Sequence, residues 1–339
     1  MHIPELYCPI PSSVVVKDPE AGEELIRWGA DQGFFSLDSD AANLVRAIDI
    51  PLWTALAHPM LKSADDRSFL NRWWTWGAVF EMRFDTNAGQ ELDGFFEKFM
   101  DSTARTQIRI LSNNPPLRDG EDFSEPMDRT LVSLLRETEQ RFGNPWRSRI
   151  SRSLLASAES GVWEARANYL SQTPDFDLYQ GLRRHSYGQT YITDCAMMAM
   201  GIDAEAKFLR HPVIEHIQYL VALYGGFVND LNSLDRDLYA NNRCSSVIAY
   251  RHQYGVTLDE AIRAVVDMCN GYLRSVLAIE AAMPDYGKYS FDDQEADQID
   301  SFFYILKMLM RGNIDWYEVS PRYNGGWKPG GPIDPAPWG

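Results

Sequence analysis

Residues 211–240 read HPVIEHIQYLVALYGGFVNDLNSLDRDLYA, with a proline placed where a helix tolerates it, in the first turn, and an apolar run from Tyr219 to Val228. Polar residues follow without a break, as NDLNSLDRD at 229–237. In a helix, Asn229, Ser233 and Asp237 recur every four residues, so their side chains stack along one face with a drift of about 40° per step. An amide carbonyl, a hydroxyl and a carboxylate on one face can supply half of an octahedral shell around a hard cation, with positions left for phosphate oxygens and water, as Mg2+ prefers. A solvated helix face is the alternative reading of any such triad. The apolar run upstream argues against it, because a polar cluster that continues a buried helix must be paired or hold an ion.

The rest of the chain follows the same period. Apolar residues recur at three- and four-residue spacing between short breaks rich in Pro, Gly, Asn and Asp, such as Asn113-Asn114-Pro115-Pro116, Gly143-Asn144-Pro145 and Thr173-Pro174. The pattern predicts helices near 20–30, 39–60, 66–88, 90–113, 124–142, 145–172, 176–202, 211–240, 257–284 and 291–317. Thr257 with Glu260 makes a capping-box pair opening the penultimate helix. Apart from Val14-Val15-Val16, alternating β-branched runs are missing, which favours an all-α bundle over an α/β fold. No repeat or composition shift marks an internal boundary, so residues 1–323 read as one domain. Residues 324–339, with five Gly, four Pro and two Trp, form a separate C-terminal tail.

Composition narrows the function classes. Across 339 residues the formal net charge is -16, from 48 acidic and 32 basic side chains, which argues against a nucleic-acid partner. An anionic small molecule would need local cations, either metal ions or placed arginines. Cys8, Cys195, Cys244 and Cys269 are scattered without a CxxC pair and read as reduced packing residues. The N-terminus lacks a basic start before an apolar stretch, and no apolar run approaches the roughly 18 residues of a membrane span. A cytoplasmic protein with no membrane span is expected. His185, His211 and His216 have no partner spacing that suggests a metal.

Four motifs, in chain order, resemble those of bacterial class I terpene synthases. NDLNSLDRD resembles the family's Asn/Ser/Glu metal motif, with Asp237 where Glu is usual and Arg236 where Lys or Arg is frequent. WWTWGAVFEMRFD, residues 73–85, occupies the place of the aspartate-rich motif; Glu81 and Asp85 share a face, and Met82 stands where a second Asp is expected. LYQGLRRHSYG, residues 178–188, resembles the diphosphate-sensing segment, with Arg183 as sensor ahead of the competing Arg184, Ser186 as linker and Tyr187 as effector at a helix break. DWYEVSPRYNGG, residues 315–326, resembles the C-terminal Arg-Tyr segment, with Arg322 and Tyr323 donating to the diphosphate. Pro9, Pro11 and Trp28 are similar to the N-terminal segment that wraps the bundle.

The resemblance implies a single-domain class I terpenoid synthase bundle that takes a linear isoprenoid diphosphate, farnesyl or geranylgeranyl, and releases diphosphate as the carbocation cyclises to a hydrocarbon or alcohol. It implies three Mg2+ ions, one on Asn229, Ser233 and Asp237 and two near Glu81 and Asp85. Arg183, Arg236, Arg322 and Tyr323 would bind the diphosphate. Phe80, Phe84, Met82 and Trp316 are expected to wall the substrate pocket, since aromatic and apolar groups tolerate a cation without attacking it. Two alternatives stand beside this reading: a catalytically impaired helical protein that binds isoprenoid diphosphates, and a class I synthase acting on an already cyclised diterpenyl diphosphate. A homodimer is left open.

Overall fold

In the computed structural model the residues described are 3–85, 105–113, 121–287 and 290–324, and the side chains of 83–85, 285–287 and 294 are outside that description. The described residues form helices and no strand. In chain order they are α1 (Pro19–Asp31), α2 (Asp40–Ile48), α3 (Ile50–Ala57), α4 (Ala64–Asp85), α5 (Arg105–Ser112), α6 (Pro126–Phe142) and α7 (Asn144–Tyr169). There follow α8 (Phe176–Ser186), α9 (Gln189–Ala199), α10 (Pro212–Tyr239), α11 (Ser246–Tyr254), α12 (Leu258–Gly287) and α13 (Asp293–Val319). The 324–339 tail, apart from Asn324, lies outside the described residues.

Where their residues are described, most expected helices appear within a few residues of their predicted bounds and the departures have local causes; residues 86–104, which hold most of the helix expected over 90–113 and the end of that over 66–88, lie outside the described residues. The stretch predicted as one helix over 39–60 is broken at Asp49, which takes a left-handed conformation (φ 54°) and caps α3 through its side chain at Leu52 N–H. The stretch predicted over 176–202 divides at Tyr187 and Gly188, where Gly188 has φ 77° and α9 begins afresh at Gln189. Helix α11 lacks a predicted counterpart: it is short, and its apolar period is weak beside the long helices. The capping box is present as expected, with Thr257 N–H donating to Glu260 Oε2 at 2.8 Å and Glu260 N–H to Thr257 Oγ1 at 3.3 Å.

Helix α10 is the central post. It packs against α8, α9, α11, α12 and α13, and Ile214, Ile217, Leu220, Leu223, Phe227, Val228 and Leu231 are all buried along it. That explains how a helix so apolar is satisfied: neighbours cover it nearly all round. Helix α13 closes on α3 at Gly312, where an added Cβ would collide with the Ala57 backbone. The Trp73, Trp76 and Phe80 stripe of α4 is buried, with Trp76 and Phe80 stacked at 5.4 Å. Among the described residues no helix is long and apolar enough to cross a membrane.

Candidate active site

Two adjacent glycines bring α10 against the end of α8. A Cβ on Gly226 would stand 2.9 Å from Arg183 Cγ, and one on Gly225 would stand 2.8 Å from a ring carbon of Tyr187. With those methyls absent, the Arg183 guanidinium reaches across to the polar turn of α10. Its Nη2 donates to Asn229 Oδ1 at 2.8 Å and pairs with Asp230 Oδ1 at 2.7 Å. Its Nη1 lies 3.7 Å from Glu164 Oε2 and 3.4 Å from Ser186 Oγ, and the Ser186 hydroxyl donates in turn to Glu164. One cation thus faces two carboxylates in a nearly dry setting. Burial opposes the charge on Arg183, yet Asp230 above all, then Tyr179, Glu164 and Glu81, hold its pKa well above the ordinary arginine value.

Asp230 has no spare capacity on its second oxygen, which accepts from Tyr179 Oη at 3.0 Å and from Ser246 N–H at 2.8 Å. It anchors α8, α10 and α11 to one point. Glu164, on α7, is in a different condition. Burial pushes its carboxyl up to about 7, against the pull of Arg183 and the Ser186 hydroxyl.

One turn further along α10, the Ser233 hydroxyl donates to Asp237 Oδ2 at 2.6 Å, and Asn242 Nδ2 donates to Asp237 Oδ1 at 3.2 Å. Burial raises the Asp237 pKa while Arg236, 3.9 Å away at Nε, lowers it. The expected triad therefore lies on one helix, with Ser233 and Asp237 buried and in contact and Asn229 half-buried beside Arg183. These groups fit a divalent cation in chemistry: three oxygen donors of three kinds, one of them a buried carboxylate not fully neutralised by protein. Among the described residues no group of three or more His, Cys, Asp or Glu side chains gathers to hold a metal. A cation on this triad would take much of its countercharge from the ligand.

The C-terminal segment reaches the same place. Asn229 Nδ2 donates to Tyr317 Oη at 2.8 Å and to Tyr323 Oη at 3.3 Å, and the Tyr187 and Tyr317 hydroxyls stand 3.3 Å apart. The Tyr317 and Tyr323 rings meet edge to face at 4.7 Å. Trp316 packs on both rings, but its indole N–H is spent on the Ile48 carbonyl at 2.7 Å. Arg322 donates its backbone N–H to Ala47 at 3.1 Å, fixing the turn after α13 to the end of α2, and its guanidinium lies over the Tyr323 ring at 5.8 Å.

Of the residues singled out from the sequence, Arg183, Tyr187, Asn229, Tyr323 and, along α10, Ser233, Arg236 and Asp237 are gathered at this end of the bundle. Arg183 is buried there, whereas Arg184 lies over the Tyr219 ring at 5.5 Å. Glu81 is exposed at the end of α4, and its charge is felt by Glu164, Tyr187 and Arg183. Met82 is buried at 2% and belongs to the hydrophobic core. The side chains of Phe84 and Asp85 lie outside the described residues. Sequence reasoning missed three participants. Asp230 carries a readable signal, a carboxylate set against an apolar run and in need of a cation. Tyr317 stands next to the favoured Trp316, and its hydroxyl, at 2.8 Å, is the nearer of the two tyrosine oxygens that accept from Asn229. Glu164 has no local signal, since its partner Arg183 lies on another helix.

Comparisons with known proteins give the family and the fold. Residues 72–275 match the family model described as terpene synthase family 2, C-terminal metal binding. The 7-epi-α-eudesmol synthase of Streptomyces viridochromogenes is 22% identical over 281 residues, 82% of this chain and 80% of that protein. The pentalenene synthase of Streptomyces arenae is 21% identical over 323 residues, 94% of this chain and 92% of that protein. The crystal structure of an α-eudesmol synthase superposes with a TM-score of 0.79 at 20% identity, over 93% of this chain and 99% of that one.

Proposed function

The chain belongs to the terpene synthase family and is an enzyme of that class that uses a divalent metal on an isoprenoid diphosphate, and we propose that its substrate is linear, that its metal is Mg2+ and that the residues described above do the ionising. Farnesyl diphosphate, named in the 7-epi-α-eudesmol synthase relative, and geranylgeranyl diphosphate are the proposed substrates. The observation that carries the reading is the Asn229, Ser233 and Asp237 face, with Ser233 and Asp237 2.6 Å apart and Asn229 Oδ1 2.8 Å from the Arg183 guanidinium. An anion-binding cation on α8 meets the first member of a cation-binding triad on α10, as a metal diphosphate complex requires.

Asn229, Ser233 and Asp237 would hold one Mg2+, and Glu81 and Asp85 would hold two more. The metal supplies charge to a diphosphate that becomes more negative as the carbon–oxygen bond breaks. Arg183 grips the leaving group with paired N–H donors, a task suited to a planar guanidinium. Arg236, Arg322 and Tyr323 add charge and donors. Because Arg183 already has two carboxylate partners, its turn towards a diphosphate leaves Asp230 and Glu164 in need of new compensation, which couples the ligand to the α8 break at Tyr187. Phe80 and Trp316, with Phe84 and the core residue Met82 as the sequence suggests, would supply an apolar and aromatic wall that offers the carbocation no nucleophile.

Release of diphosphate from farnesyl and geranylgeranyl diphosphate tests this directly. Turnover should vanish in chelator, return with Mg2+, and fall by about 100-fold or more in Asn229→Ala with the helical fold retained. Turnover in chelator, or an Asn229→Ala variant as active as the wild type, overturns the assignment of these residues.

A further inference from the structure

Guanidinium groups only donate hydrogen bonds. The Asn229 atom 2.8 Å from Arg183 Nη2 is therefore the carbonyl oxygen, and the amide nitrogen faces the tyrosines. A flipped amide would set donor against donor. The two Nδ2 hydrogens are then both used, one at 2.8 Å on Tyr317 and the other, more weakly, at 3.3 Å on Tyr323. Tyr317 is 3% exposed, its ring is wedged between Trp316 and Tyr323, and the Tyr187 oxygen 3.3 Å away can take its proton. Tyr317 thus offers Asn229 a lone pair from a side chain that packing does not allow to move.

Resting on the reading that Asn229 is a metal ligand, we propose that Tyr317 is a positioning residue for the metal: it holds the Asn229 amide with its oxygen turned towards the cation and its nitrogen turned away. The need for it comes from the other partners. Arg183 and Tyr323 also fix the amide, but both are assigned to the diphosphate and are drawn to it when it binds. Tyr317, enclosed by α13 and the turn after it, has no such competing ligand. Its hydroxyl keeps the amide in register while the other two contacts are exchanged. A ligand oriented in this way binds its metal more tightly, since no rotamer has to be selected at the moment of binding.

The test uses the full chain, with Mn2+ as the metal and inorganic diphosphate as the anion, read by calorimetry or by the loss of free-ion paramagnetic resonance. Tyr317→Phe keeps the ring and its packing. It should weaken Mn2+ binding by about tenfold and raise the half-saturating Mg2+ for turnover by a similar factor, with kcat at saturating Mg2+ within about threefold of wild type. In an Asn229→Ala background, adding Tyr317→Phe should weaken Mn2+ no further, because the amide it orients is gone. Three results are decisive. Unchanged Mn2+ affinity in Tyr317→Phe, with a clear loss in Asn229→Ala, overturns the role of Tyr317 and leaves the triad standing. A full further loss in the double variant overturns it as well, since Tyr317 would then act without Asn229. Unchanged affinity in Asn229→Ala removes the metal from this ligand altogether, and the underlying reading falls with it.

Discussion

Arg183 and Arg184 differ by one position and about 100° of helix rotation, which sets Arg183 against Asn229 and Asp230 and Arg184 over the Tyr219 ring. Arg183→Ala should lower turnover by about 100-fold or more, whereas Arg184→Ala should stay within about threefold. The reverse order would mean that the diphosphate lies on the other face of α8. Asp230→Asn tests the anchor: it leaves the buried guanidinium short of a carboxylate and should cost roughly 3 kcal/mol of stability, measured by denaturant unfolding. At Glu164 the expectation concerns pH. Its carboxyl is held near 7 in the fold by burial and titrates near 4.3 in an unfolded chain, so between those values the folded state carries the extra proton. Stability contributed by this group therefore falls as pH rises from about 4 to 7, by roughly 3 kcal/mol in ligand-free protein, and Glu164→Gln should flatten that part of the profile. On α4, Met82 is a core residue, so Met82→Leu should stay within about threefold of wild type, while Asp85→Ala loses more than about tenfold and Glu81→Ala falls between them. Equal damage from Met82→Leu and Asp85→Ala would contradict the assignment of the metal to the acidic pair.

Helices meet in this bundle where side chains are missing. Gly312 lets α13 lie against the backbone of α3, and Gly226 lets α10 lie against Arg183. Gly312→Ala should destabilise by about 2–3 kcal/mol, because the Ala57 backbone it strikes has no rotamer by which to yield. A thermal midpoint equal to wild type would mean the two helices can part at little cost. The long helices were readable from their 3.6-residue period, since each has one broad face to bury. The break at Asp49 was harder to see, although Pro51 lies just beyond it: an aspartate at positive φ that ends one helix and caps the next leaves the apolar period almost undisturbed. Gly188 was easier, as a glycine after an Arg-rich last turn is a frequent helix stop. Helix α11 escaped because nine residues between a turn and Gly255 carry too few turns to show a period.

Across the whole molecule, the fold and the order of the motifs were legible because both are properties of position along the chain. The triad on α10, the arginine on α8 and the Arg-Tyr turn after α13 are each local patterns. The contacts that complete the site were not legible. Glu164 meets Ser186 and Tyr317 meets Asn229 only after α7, α8, α10 and α13 have packed, and no spacing records a meeting between helices. The net charge of -16 takes its meaning at this scale too: so acidic a chain offers an anionic ligand little general attraction, so affinity for one would have to be concentrated where arginines and cation ligands converge.

The central claim is that this convergence breaks the carbon–oxygen bond of an isoprenoid diphosphate and closes a ring. It is tested most directly by incubating the purified chain with farnesyl and geranylgeranyl diphosphates, with Mg2+ and with chelator, and examining the organic extract by gas chromatography and mass spectrometry beside the diphosphate released. The account predicts a cyclic hydrocarbon or alcohol from at least one substrate, formed with matching diphosphate and only with the metal. Metal-independent turnover, or inorganic phosphate and a linear alcohol with no ring, would contradict it.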